Sequence, residues 1–103
     1  MDVYGKIRPE DLPMLKSVVE IFRKHNLKAG LHGTSLWNPR YKDVDVLVVS
    51  VENKVNDFYS AFEEVKRQFN AKVLEQKGNE TVGLDYDVEI GKLILHLSYV
   101  VLL

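Results

Sequence analysis

The chain contains no cysteine. That excludes disulfides, thiolate zinc centres and cysteine nucleophiles, and it suits a reducing compartment. No apolar run approaches the roughly 18 residues that a membrane-crossing helix needs. The opening stretch, MDVYGKIRPEDL, lacks the apolar centre of a secretion signal. The expectation is therefore a cytoplasmic protein without a membrane partner. Neither sign of charge is in excess: 14 basic and 15 acidic residues leave a net charge of −1, which makes no electrostatic case for a nucleic-acid binder. The three histidines are scattered in sequence and do not make a zinc site. Low-complexity tracts and internal repeats are absent too. At 103 residues the chain has room for one domain, 1–103, and little more.

What is present is strong periodicity. Pro9, Asp11 and Pro13 mark a helix start, because proline is tolerated in a first turn and acidic residues suit the positive end of the helix dipole. Leu15, Val18, Val19 and Phe22 then recur at helical spacing, and the helix should end near His25 or Asn26. Leu27–His32 reads as a short strand and Asp43–Ser50 as a second. The second is apolar on both faces past its first residues, the pattern of a central strand covered on both sides. Asn53 or Asn56 can cap a second helix carrying Val55, Phe58, Tyr59, Phe62 and Val65, with Asn70 closing it. Ala71–Gln76 reads as a strand and Lys77–Glu80 as a turn. Thr81–Ile90 alternates, with Leu84, Tyr86, Val88 and Ile90 on one side and Asp85, Asp87 and Glu89 on the other. Gly91-Lys92 is a hairpin turn before an apolar last strand, Leu93–Leu103. The order predicts an α/β (α+β) sandwich: a mixed sheet of about five strands with two main helices on one face.

The chemistry concentrates between Leu31 and Ser50, LHGTSLWNPRYKDVDVLVVS. Asp43 and Asp45 point to the same side of a strand, about 7 Å apart. Like charges so placed repel, so they make a poor core. They make a good seat for a divalent cation such as Mg²⁺, which is held by one or two carboxylates plus substrate phosphates. The turn Gly33-Thr34-Ser35 brings backbone N–H groups and hydroxyls of the kind that cradle phosphate oxygens.

This stretch resembles the nucleotidyltransferase superfamily, the polymerase-beta-like fold, in its minimal nucleotidyltransferase type. Leu31-His32-Gly33-Thr34-Ser35-Leu36 followed by Asp43-Val44-Asp45-Val46-Leu47 matches the family's Gly-Thr/Ser turn, loop and Asp-x-Asp strand. His32 stands where a subset of the family has a first glycine, and Arg40 matches an arginine found shortly before the Asp pair.

The resemblance implies a Mg²⁺-dependent transferase that moves a nucleoside monophosphate from a nucleoside triphosphate, ATP first among them, to a hydroxyl acceptor. Two Mg²⁺ ions are implied. Asp43 and Asp45 would be ligands and catalytic, with Gly33, Thr34, Ser35 and Arg40 as phosphate contacts. A third carboxylate is implied on a neighbouring strand. Asp85, Asp87 and Glu89 are the candidates, and Asp87 is chosen because it sits mid-strand. The last strand offers neither Asp nor Glu. Trp37 is either a stacking platform for a base or a plug beside the loop. Nucleic acid enters only as a possible acceptor.

The missing acid on the last strand motivates the alternative, a catalytically degenerate nucleotidyltransferase-like binding module, such as the antitoxin-side partner of a helical toxin protein. A homodimer or a helical partner is expected in either case. The apolar last strand, taken as an unpaired edge, is the expected interface.

Overall fold

The apolar stripe of Leu15, Val18, Val19 and Phe22 forms helix α1, Leu12–Lys24, with Asp11 at its N-cap and the basic residues Arg23 and Lys24 in its last turn. The computed structural model describes residues 5–33 and 38–102. Strand β1 follows over Lys28–His32 and strand β2 over Asp43–Ser50. Helix α2 spans Val55–Phe69. Asn53 Oδ1 accepts a hydrogen bond from the Val55 N–H, 3.0 Å, while Asn56 lies inside the first turn. Asn70 closes α2 in the left-handed region, φ 52°, as its side chain allows.

Three further strands complete the element order: β3, Lys72–Asn79; β4, Gly83–Ile90; and β5, Leu93–Val101. β3 runs past the expected end at Gln76. The reason is local: Lys77, Gly78 and Asn79 stay in register with Asp85, Leu84 and Gly83. Asn79 Oδ1 then accepts from the N–H groups of Thr81 and Val82, at 2.9 and 3.0 Å. The side-chain turn of Asn79 thus moves the reversal to residues 80–82.

The strands form one mixed sheet in the order β1-β2-β5-β4-β3. β2 and β5 are parallel, and the other neighbours are antiparallel. This corrects the expectation for the last strand. β5 is not an edge; it lies in the middle of the sheet, and burial of Leu93, Leu95, Leu97 and Tyr99 accounts for its apolar character. The expectation that β2 is covered on both faces also needs correction. Val44, Val46 and Val48 are fully buried, whereas Leu47 and Val49 on the opposite face are half-buried.

The core lies between the sheet and the two helices. Phe58 of α2 is its centre, with ring centroids 4.8 Å from Tyr99 and 5.6 Å from Phe22. The Tyr99 hydroxyl accepts from the Lys54 N–H, 2.9 Å, and shares a hydrogen bond with Ser50 Oγ, 2.8 Å, which ties β5 to the connection between β2 and α2.

The helices are clipped together by Glu64 of α2, whose carboxylate meets Lys24 Nζ at 2.6 Å and His25 Nε2 at 3.2 Å. Lys24 first and His25 second hold the Glu64 carboxyl below its ordinary value of 4.5. A carboxyl lowered on folding stabilises the fold above its unfolded value, and that contribution is lost as pH falls through the folded one. We therefore expect Lys24→Ala to move the Glu64 carboxyl back toward 4.5 in a carbon-13 NMR titration. An unmoved midpoint would show that the clip does not form. Among the described residues, no helix is long and apolar enough to cross a membrane.

Candidate functional site

Residues on alternate positions of the strands share the sheet face turned away from the helices. The pairing puts His32 opposite Asp45, Asp45 opposite His96, His96 opposite Asp87, and Asp87 opposite Glu75. One row of polar side chains therefore crosses all five strands, with Asp45 in its second place. Asp43 lies two residues before Asp45 on the same face, exposed, opposite Ile94 of β5.

Gly33 is brought directly onto this row. It follows β1 with φ +86°, and a Cβ added there would collide with the Asp45 carboxylate. The backbone conformation favours glycine there, and a side chain would have to displace the Asp45 carboxylate. Gly33 and Asp45, twelve residues apart in sequence, are thus packed against each other. Gly33→Ala is expected to cost about 1–3 kcal/mol of strain and to displace the Asp45 side chain. Urea unfolding of the variant checks the first effect, and the Asp45 carboxyl shift by NMR checks the second. A variant as stable as its parent would mean that the turn does not bear on the carboxylate.

Thr34 and Ser35, the expected phosphate hydroxyls, lie outside the described residues, as does Trp37. Arg40 is described and exposed. Its N–H donates to Asn38 Oδ1, 2.9 Å, and its guanidinium makes no hydrogen bond or ion pair among the described residues.

Asp85, Asp87 and Glu89 do share a face, as their alternation predicts. They stand on β4, and β5 separates them from β2. Asp87 lies two strand spacings, about 10 Å, from Asp45. His96 fills the place between. Its Nδ1 is 2.9 Å from Asp87 Oδ1, its Nε2 is 3.6 Å from Asp85 Oδ1, and Ser98 Oγ donates to Asp85 Oδ1 at 2.6 Å. The His96 side chain is 45% exposed on the open face. Among the described residues no group of three or more His, Asp or Glu side chains converges so as to hold a metal ion. Asp45 is brought to Gly33, with Asp43 on the same strand face; Asp87 is brought to His96.

A second polar cluster was missed by sequence reasoning. The Tyr41 hydroxyl donates to Asp11 Oδ2, 2.5 Å, and accepts from the Arg8 N–H, 3.1 Å. The Arg8 guanidinium stacks over the Tyr41 ring at 4.1 Å, and its Nε donates to Asp11 Oδ2 at 3.0 Å. Burial, followed by the bond to Asp11, pushes the Tyr41 phenol above its ordinary value. Only the local spacing of Arg8 and Asp11 was visible in the chain; nothing there pointed to Tyr41.

No protein-family model and no curated protein matches this chain.

Proposed function

We propose that the protein is a nucleotidyltransferase that binds a nucleoside triphosphate, ATP first among those to test, as a Mg²⁺ complex and transfers its nucleoside monophosphate to a hydroxyl. One observation carries this reading: the glycine turn after β1 is packed against the carboxylate of Asp45, with Asp43 on the same strand face. A phosphate-binding turn and a carboxylate pair have to be adjacent if both are to hold one metal–triphosphate complex.

The donor set fits the ion. Two carboxylates on an open sheet face suit a hard cation that keeps several waters and completes its shell with phosphate oxygens. When bound, Mg²⁺ neutralises phosphate charge and activates the α-phosphorus toward the attacking oxygen. The chain's own part is positional. Asp43 and Asp45 hold the complex at the head of β2, Gly33 lets the backbone approach it, and Arg40 is available for an outer phosphate. Asp87 can serve as the third carboxylate only if the site rearranges on binding, since His96 engages it.

A second reading, a binding module without transfer activity, draws on a different observation. The strand adjoining Asp45 presents Ile94 and His96 on that face, and no carboxylate. In that case a helical protein partner or a second copy of the chain would be the ligand that matters.

Backbone amide shifts on titration with ATP, in Mg²⁺ and then in EDTA, separate the two. The transferase reading expects metal-dependent shifts at Gly33, Asp43 and Asp45, with a response at Asp87 as the third carboxylate engages. The absence of any shift at millimolar MgATP would reject it in favour of the binding module.

A further inference from the structure

We infer that the cavity beside Asp43 is the acceptor subsite and that it takes a phosphomonoester which also carries the attacking hydroxyl. This rests on the transferase reading above. The cavity, about 640 Å³, opens between the start of α1, the head of β2 and the turn joining β4 to β5. Its size is within the range that holds a small-molecule substrate. Asp43 lines it, so a molecule bound there lies beside the proposed metal–triphosphate complex.

The cations of this cavity are placed for an oxyanion. Arg8 is fixed from two sides, by its stack on the buried Tyr41 ring and by the bond from its Nε to Asp11. Among the described residues the carboxylate of Asp11 is bonded through Nε, and no carboxylate is paired with either Nη group. A guanidinium anchored through Nε, with no carboxylate on either Nη group, is the planar fork that grips phosphate oxygens in pairs. Because its side-chain freedom is already lost in the folded protein, little more is lost on binding.

Lys42 and Lys92 line the same cavity, and neither makes an ion pair among the described residues. Three carboxylates also face it. Asp11 is taken up by Arg8 and Tyr41, Asp43 is assigned to the metal, and Glu10 is the one left over. The free cations therefore outnumber the free carboxylates once the metal is in place. A neutral sugar or alcohol would leave Lys42 and Lys92 without a partner; a phosphomonoester engages them together with the outer edge of Arg8 and leaves its hydroxyl free to face Asp43.

The test uses inorganic phosphate as probe, in EDTA, on the full chain, followed by amide shifts. Shifts are expected at Tyr41, Lys42 and Lys92 and not at Gly33 or Asp45. Lys92→Ala should weaken phosphate about fivefold, the scale of one solvent-open charge contact. Arg8→Lys, which keeps the charge and loses the fork, should weaken it about tenfold. If Arg8→Lys disturbs the Tyr41 cluster, Lys92→Ala still decides, because Lys92 lies exposed in a turn. Shifts confined to Gly33, unchanged phosphate affinity in both variants, or equal affinity for acetate would overturn the assignment.

MgATP titrated into the same samples keeps the two readings apart. Lys92→Ala should leave the MgATP shifts at Gly33 and Asp45 intact. If phosphate behaves as expected while MgATP produces no shift in the parent chain, the transferase reading fails and the acceptor role falls with it, leaving a phosphate site. If MgATP binds and phosphate does not, the transferase reading stands and the acceptor assignment is overturned.

Discussion

Asp45→Asn is expected to weaken MgATP binding on the order of a hundredfold, equivalent to about 3 kcal/mol, the scale of one carboxylate–metal contact. The substitution keeps the shape of the side chain and so keeps its packing against Gly33. It removes the charge that a divalent cation requires. Stability should not fall, because Asp43 and Asp45 repel one another when no metal separates them, and a neutral Asn relieves that repulsion. The combination distinguishes a ligand from a structural residue. Calorimetric titration with MgATP, set beside thermal unfolding without metal, reads both. An Asp45→Asn protein that binds MgATP as its parent does would end the transferase proposal. A protein that loses both binding and stability would show that Asp45 works as a packing partner of the turn.

Much of the fold was legible because periodicity reports which side of an element is buried. Leu15, Val18, Val19 and Phe22 are buried in α1 as their spacing predicts, and the alternation of Thr81–Ile90 put Leu84, Val88 and Ile90 inside. What periodicity does not carry is which strands are neighbours. The apolar last strand has the same composition whether it is an edge awaiting a partner or the middle of the sheet, and it proved to be the middle. The same limit governed the site. Asp43, Asp45 and Gly33 were singled out from local spacing, and Gly33 does meet the Asp45 carboxylate. The place of His96 between Asp45 and Asp87 depends on the parallel register of β2 with β5, whose paired residues are about fifty apart in sequence. The Arg8–Asp11–Tyr41 cluster was out of reach for the same reason, since Asp11 and Tyr41 are separated by thirty residues.

Phe58→Ala is expected to cost about 3–5 kcal/mol, the usual range for emptying a buried phenylalanine site. Phe58 has no exposed surface, and it is in ring contact with Phe22 of α1, Phe62 of α2, and Tyr86 and Tyr99 of β4 and β5. It therefore joins both helices to the two strands at the centre and flank of the sheet. The rings around it are large and constrained by one another, so they have little freedom to close the gap, and the cost should fall in the upper part of that range. Small domains have about 5–15 kcal/mol in hand, so the loss is a large fraction of the total. The midpoint of thermal unfolding should fall by at least about 12 °C. The functional consequence follows from the register: Asp45 and His96 stand in line because β2 and β5 are held parallel, and Tyr99, stacked on Phe58, fastens β5 to the end of β2 through Ser50. Loosening that ring stack should therefore weaken MgATP binding at the far end of β2 even at temperatures where the variant is folded. If Phe58→Ala loses stability but binds MgATP like its parent, the site is held by the strand ladder alone and not by the aromatic core.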